Sequence, residues 1–365
     1  MKIATQILKD ATNKAIKGAS NNNLMPLTSM IGLKLNDGVL SLLTTDMSNT
    51  LCVKIDKVAG DDVDITVPSE VFSKLINKLY CDTTELTLNG ETLVVKGNGT
   101  YKIPLVVDEE GIVSFPDIEM LDSDKIKPSN VKLTSIMRAY NINRASLCKT
   151  LDFPELTGYY CANRVVSTDG NVITFNNFNL LGSESPVLIS AQMMQLLTLN
   201  DSEDITLYDG GNTLSFVTDN VIITGPKLDG IDSYPYEDVV AYLDEAFESS
   251  CKVPKELLLS VLDRLSLFIE PYDNNCANFT FSRVGINIHS KKDSSTEVIN
   301  YTGSDNFKSF SCSVNIPLLK EQLLAYPDDT VQIFYGNDNA IKLVSGSVIQ
   351  VIALDEDSAT ADSNE

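Results

Sequence analysis

The sequence predicts an α+β protein in which one domain recurs three times, each copy laying two helices against antiparallel sheet. Three observations lead there: a long segment that recurs at a near-constant offset, a second marker with almost the same period, and a change in every copy from helical to strand periodicity. The recurring segment begins at Val67 (VPSEVFSKLINKLY), Ile189 (ISAQMMQLLTLN) and Val314 (VNIPLLKEQLLAY), at offsets of 122 and 125 residues. Each copy runs strand end, amphipathic helix, acidic turn, strand, Gly/Asn hairpin, strand. The hairpin glycines Gly90, Gly211 and Gly336 fall 23, 22 and 22 residues after the three starts. The second marker is a strand ending in Thr45-Asp46, Thr168-Asp169 and Ser290-Lys291, with offsets of 123 and 122.

Each copy opens on a helix: ATQILKDATNKAIKG, VKLTSIMRAYNINRASL and PKELLLSVLDRLSLF. Their apolar residues recur at three- and four-residue spacing, as in Leu258, Val261, Leu262 and Leu265, which builds one buried stripe. The segments between helices alternate β-branched and aromatic residues with polar ones, as at 85–88 and 330–334. Asn89-Gly90 is a strong hairpin signal, because a tight two-residue turn needs positive φ. Helices on one sheet face make an α+β layer. A unit of roughly 120 residues is domain-sized rather than solenoid-sized. The expected division is 1–122, 128–246 and 250–355. Polar joints lie around 116–129, with Pro116 and Pro128, and around 237–252. An acidic tail at 356–365 is expected to be disordered.

Composition bounds the function. The chain has 365 residues, 43% of them hydrophobic, so packed cores are available. No run approaches the ~18 apolar residues of a membrane span, and the first residues read as strand and helix rather than a signal peptide. A cytoplasmic protein with no membrane partner is expected. Seven scattered cysteines without a CxxC pair fit reduced, mostly buried thiols rather than disulfides or zinc.

The formal net charge is −22, but it is unevenly placed. The helix windows 2–18, 69–80, 130–149, 189–199, 253–268 and 315–326 hold 13 Lys/Arg and 5 Asp/Glu, a net +8 that leaves −30 for the remainder. Candidate cations on these helices are Lys9, Lys14, Lys17, Lys74, Lys78, Lys132, Arg138, Arg144, Lys149 and Arg264. Basic helices on an acidic body attract a polyanion to one surface and repel it elsewhere. No aromatic-rich basic groove and no base-reading motif is present, so sequence-independent phosphate contact is the expected mode.

Catalytic chemistry is sparse. The single histidine, His289, falls in a predicted strand and has no triad or metal-ligand company. The glycines at 97–99 and 210–211 sit in hairpins, and no GxxxxGK[ST] loop occurs. Acid pairs such as Asp61-Asp62 and Glu109-Glu110 belong to polar turns. From these residues alone, a structural assembly unit and an acidic hydrolase remain open beside a polyanion-binding scaffold.

The residues also match a family. LMPLTSMIGLKLNDGVLSLLTTD in the first copy, RVVSTDG and KLDGIDSYPYEDVV in the second, and VNIPLLKEQLLAY with VIQVIAL in the third resemble the bacterial-type DNA polymerase III beta subunit, a DNA sliding clamp, to about Leu354. The resemblance implies three clamp domains per chain and a head-to-tail homodimer whose ring encloses double-stranded DNA. It implies no catalysis and no cofactor, with DNA polymerase, clamp loader and repair proteins as partners. It places a pocket for short peptide motifs between the second and third domains. Carried over by position, that pocket takes Leu156, Thr168, Gly170, Val172, Ile173, Pro235, Val239 and Val240 with Asn315, Leu318, Val351, Ala353 and Leu354. Ring closure would use Tyr101 and Ile103 at one edge and Leu267 and Phe268 at the other. Two departures stand out. Asn171-Val172 follows the TDG where the family usually has His-Arg, and Ala353-Leu354 leads into acidic residues rather than a Met-Pro-x-Arg strand.

Overall fold

The computed structural model describes residues 1–20, 25–109, 111–117, 121, 126–183, 185–269, 271, 274–291, 295–303 and 309–355. The acidic segment 356–365 and part of the first joint lie outside the described residues. Among the described residues there are seven α-helices: α1 Thr5–Ala15, α2 Ser69–Asn77, α3 Leu133–Asn143, α4 Ala191–Leu197, α5 Tyr236–Ala241, α6 Lys255–Leu265 and α7 Ile316–Ala325. Six lie in the expected windows. The short α5 was not expected; Pro235 precedes it, and Glu237 and Asp238 fill its first turn, where acids favour the helix dipole. Among the described residues every strand pairing is antiparallel, in keeping with the α+β expectation.

The chain gathers into two compact units, Met1–Ile136 with Gln192–Lys227, and Met137–Ala191 with Leu228–Glu365. In the first unit an eight-stranded sheet runs Ser129–Lys132, Asp204–Asp209, Thr213–Val217, Val221–Pro226, Thr50–Ile55, Val39–Thr45, Met30–Asn36, Val63–Pro68. Its middle pairing, Ile222 with Cys52 and Ile223 with Leu51, joins strands about 170 residues apart in sequence. A four-stranded sheet of Lys2–Ala4, Thr83–Asn89, Thr92–Lys96 and Thr100–Pro104 completes the unit. The Asn89-Gly90 hairpin forms there, with Gly90 at φ +57°, a conformation cheap only for glycine. α1 buries Leu8, Ala11 and Ala15, and α2 buries Phe72 and Ile76, the three-and-four spacing of one apolar stripe.

The second unit repeats this plan. A nine-stranded sheet runs Val187–Ser190, Gly158–Cys161, Val165–Thr168, Val172–Asn176, Val348–Ala353, Ala340–Ser345, Thr330–Tyr335, Ser249–Pro254, Thr302–Gly303. A four-stranded sheet runs Thr296–Asn300, Gly285–Ser290, Cys276–Phe281, Phe310–Asn315. α6 buries Leu258, Val261, Leu262 and Leu265. At the start of α7 the Asn315 side chain accepts a hydrogen bond from the Leu318 N–H at 3.0 Å, the usual N-cap arrangement.

One pairing in this sheet serves two cores at once. Val172–Asn176 lies against Val348–Ala353 with Val172 opposite Ile352, Ile173 opposite Val351 and Thr174 opposite Gln350. Side chains alternate faces along a strand. Val172 and Ile352 join the core beneath α6 and α7, while Ile173 and Val351 face a second core built on Tyr160, Phe175, Tyr234 and Val239.

Candidate functional site

An apolar cavity of about 180 Å³ opens on that second face. Ile173 and Val351, opposite each other in the ladder, form part of its wall. Thr168 adds the end of the next strand, and Leu156 comes from the 3-10 turn Pro154–Thr157. Pro235, Asp238, Val239 and Tyr242 come from α5 and its ends, and Asn339, Ala340 and Ala353 close the cavity. Behind it Tyr160 stacks on Tyr236 at 4.5 Å and meets Tyr234 at 4.8 Å, which stiffens the wall.

The TDG turn shapes the rim. The Asp169 carboxylate accepts from the N–H groups of Asn171 and Val172, both at 2.8 Å, and the Gly170 N–H donates to the Thr168 hydroxyl at 3.1 Å. Gly170 sits at φ +91°, and a Cβ there would meet nothing within 4 Å, so its backbone conformation rather than space selects glycine.

Of the residues read from sequence for the pocket, the structure gathers Leu156, Thr168, Gly170, Ile173, Pro235, Val239, Val351 and Ala353 around this cavity. Five others are placed elsewhere. Val172 is fully buried in the core on the opposite face, since a strand cannot aim adjacent residues the same way. Val240 packs against the tyrosine core behind the wall. Asn315 caps α7, and Leu318 and Leu354 pack on the core of α6 and α7. Asn171, Asp238, Tyr242, Asn339 and Ala340 line the cavity without having been singled out. A helix starting after Pro235 puts 238, 239 and 242 on one side, so that part was readable; Asn339 and Ala340 arrive by long-range pairing alone.

The candidate helix cations are solvent-accessible, and most already have partners. In the first unit Lys14 pairs with Asp201, Lys74 with Glu70 and Lys132 with Asp204, and Lys9 stands 5.4 Å over the Tyr80 ring. Lys17 and Lys78 are exposed and make no ion pair among the described residues. In the second unit Lys149 meets Glu321 at 2.8 Å, and Arg264 makes a fork with Glu297 at 2.5 and 2.6 Å. Arg138 donates to the Ser347 hydroxyl and lies over Phe178 at 4.9 Å; Arg144 lies over Tyr140 at 5.1 Å. The hydrogen bond from Lys132 holds the Asp204 carboxyl below its usual range, and Arg264 does the same to Glu297.

At the edges considered for self-association, Tyr101 is 39% exposed, Leu267 80% and Phe268 50%. Ile103 is 1% exposed: opposite Leu93 in the ladder, it fills the chain's own core, which removes it from the surface set. His289 lies in the strand Gly285–Ser290, its Nε2 3.4 Å from the Asn278 amide. No group of potential metal ligands forms among the described residues, and no described helix is long and apolar enough to cross a membrane. The seven cysteines are free thiols, five of them buried.

Antiparallel sheets covered by helices give this chain the fold seen in solved DNA sliding clamps. The crystal structure of the DNA polymerase III beta subunit from Thermotoga maritima superposes with a TM-score of 0.85, covering 97% of this chain and 98% of that one at 17% identity. In sequence the chain is similar to the beta sliding clamps of Rickettsia bellii, 21% identical over 372 residues, and Rickettsia felis, 20% identical, each alignment covering 94% of both chains. No family model matches the chain. The resemblance to the bacterial-type beta subunit read from the sequence is borne out by these relatives.

Proposed function

We propose that this chain is a non-catalytic sliding clamp that encircles duplex DNA and tethers a polymerase to it. Three modules per chain, 1–122, 128–246 and 250–355, would pair head to tail in a homodimer. Six modules would close the ring in the cytoplasm of a bacterial cell or a phage-infected host. The observation that carries this reading is the full-length likeness to clamp structures combined with accessible cations on the helices of a chain whose net charge is −22.

A clamp must hold without gripping. A closed ring is retained by topology, so its phosphate contacts need only be weak. The intramolecular acid partners supply that weakness. A phosphate approaching Lys14, Lys74, Lys132, Lys149 or Arg264 must displace a carboxylate already there. Exposed pairs of this kind are worth about 0–1 kcal/mol, so exchange is nearly free in either direction. Self-association would use Thr100–Pro104, a sheet-edge strand carrying Tyr101, and the edge strand Thr296–Asn300 with Leu267 and Phe268. Unpaired edges flanked by exposed apolar residues are templates for pairing with another copy. The cavity by Ile173 and Val351 would receive short apolar peptide motifs of polymerase, clamp loader and repair proteins.

Sedimentation should return about twice the 39.9 kDa chain mass. Once loaded, the protein should stay on circular DNA and leave linear DNA through its ends. Reversing charge at Lys9, Lys14, Arg138 and Arg144 should impair loading and processivity while the dimer persists. A monomer, equal retention on both DNA forms, or normal processivity in the reversed variant would each overturn the proposal.

A further inference from the structure

We infer that the apolar cavity is selective for a peptide whose apolar anchor is flanked by lysine or arginine. This rests on reading the cavity as a partner-docking site and adds the chemistry of the partner. The wall is apolar at Ile173, Val351 and Val239, and Asp238 is the charged residue in the lining. The five segments that build it, residues 154–158, 168–173, 235–242, 338–340 and 351–355, carry Glu155, Asp169, Glu237, Asp238, Asp338 and Asp355 and no base at all.

Most of that charge is uncompensated. Glu155, Asp169, Glu237, Asp238 and Asp338 make no ion pair among the described residues, and Glu237, Asp238 and Asp338 are exposed. Asp355 does meet a cation, Lys291 at 2.9 Å, which uses that lysine up locally. Lys342 lies over the Phe247 and Phe334 rings at 4.4 and 5.5 Å. A ring of one sign around a low-dielectric slot attracts flanks of the opposite sign and repels its own. An acidic peptide with the same anchor would bring like charges to Asp238 just as the anchor desolvates the rim. Discrimination here comes as much from that repulsion as from attraction.

The test is fluorescence anisotropy with labelled synthetic decapeptides that share a central Leu-Leu pair and carry lysine, serine or glutamate flanks. Each is titrated with the full chain, with the double variant Glu237→Gln/Asp238→Asn, and with Ala353→Trp, which fills the cavity from its exposed lip. The lysine-flanked peptide should bind about tenfold more tightly than the glutamate-flanked one at low salt, the sum of a few exposed charge contacts. That ratio should fall at least threefold in 0.5 M salt, where the screening length is well under 10 Å, and similarly in the double variant. Ala353→Trp should abolish binding of the lysine and serine peptides together. Equal affinity for all three peptides, with Ala353→Trp still abolishing it, overturns the charge preference and leaves the docking site standing. A lysine preference that survives Ala353→Trp also overturns the inference, because the charge is then read elsewhere. Loss of every Ala353→Trp-sensitive signal removes the docking reading itself.

Discussion

Gln322 offers the sharpest test of what holds the cavity in register. It is fully buried in α7, and its Oε1 accepts from Ser146 Oγ at 3.1 Å, Thr174 Oγ1 at 3.2 Å and Gln350 Nε2 at 3.0 Å. Its own Nε2 donates to the Ala145 carbonyl at 3.1 Å. Thr174 and Gln350 face each other in the ladder, one step from Ile173 and Val351. This polar pin therefore fixes the strand pair that builds the cavity wall, where a one-residue slip would turn Ile173 and Val351 to the other face. In Gln322→Leu the Ala145 carbonyl loses its partner. The Ser146 and Thr174 hydroxyls keep each other but share one lost acceptor, and Gln350 retains only its 3.2 Å bond to the Gln322 carbonyl. Two to three buried polar groups are compromised at about 1–3 kcal/mol each. Added apolar burial returns about 1 kcal/mol. The expected net loss is about 1–8 kcal/mol. Native-state hydrogen exchange of the amides in Val172–Asn176 and Val348–Ala353 reads it locally, with Thr50–Ile55 as internal reference. Because Gln350 depends on the same oxygen, Gln322→Leu/Gln350→Leu should lose less than the two single changes together. A change below about 0.5 kcal/mol in Gln322→Leu would refute the reasoning.

Thiol burial and ion pairing lead to further expected outcomes. Burial pushes the Cys251 thiol up to about 12 and the Cys161 and Cys312 thiols up as well, whereas the hydroxyl of Thr5 beside Cys81 brings that thiol down. Iodoacetamide at pH 8 should label Cys81 well before those three, and early labelling of Cys161 by mass spectrometry would contradict the packing. Hydrogen bonding from Lys291 lowers the Asp355 carboxyl below its usual range. A depressed folded-state value means that its stabilising contribution is present above the ordinary carboxylate pKa and is lost as pH falls through the lower folded value. Exchange protection at Val348–Ala353 should thus persist at pH 5 and decline below about pH 4, and Asp355→Asn should flatten that decline. Finally, Glu321→Gln releases Lys149 from its 2.8 Å partner. Under the clamp reading it should raise affinity for duplex DNA about two- to threefold at low salt; unchanged affinity would place Lys149 off the DNA path.

The α+β class, six of the seven helices and the hairpin at Gly90 were legible because local periodicity and turn chemistry determine them. Leu258, Val261, Leu262 and Leu265 could only form a buried stripe as a helix. The cavity was legible in part. Ile173 and Val351 were named by position, but Val172 and Leu354 were named with them, since a linear string does not say which strand face a residue takes. Ile103 was read as surface for the same reason. The unequal charge on the helices was countable from the chain, whereas the carboxylates that meet those cations, Asp201 at Lys14 or Glu297 at Arg264, come from remote segments.

The sequence alone determined six of the seven described helices, the hairpin at Gly90 and the uneven placement of charge along the chain, because each depends on residues near one another in sequence. Only the tertiary structure decided which strands pair at the joints, which face each residue takes, and that Asp238 joins Ile173, Val239 and Val351 in lining one cavity. Those features depend on contacts between residues more than a hundred positions apart, whose register is chosen by buried groups such as Gln322, Thr174 and Gln350 satisfying one another.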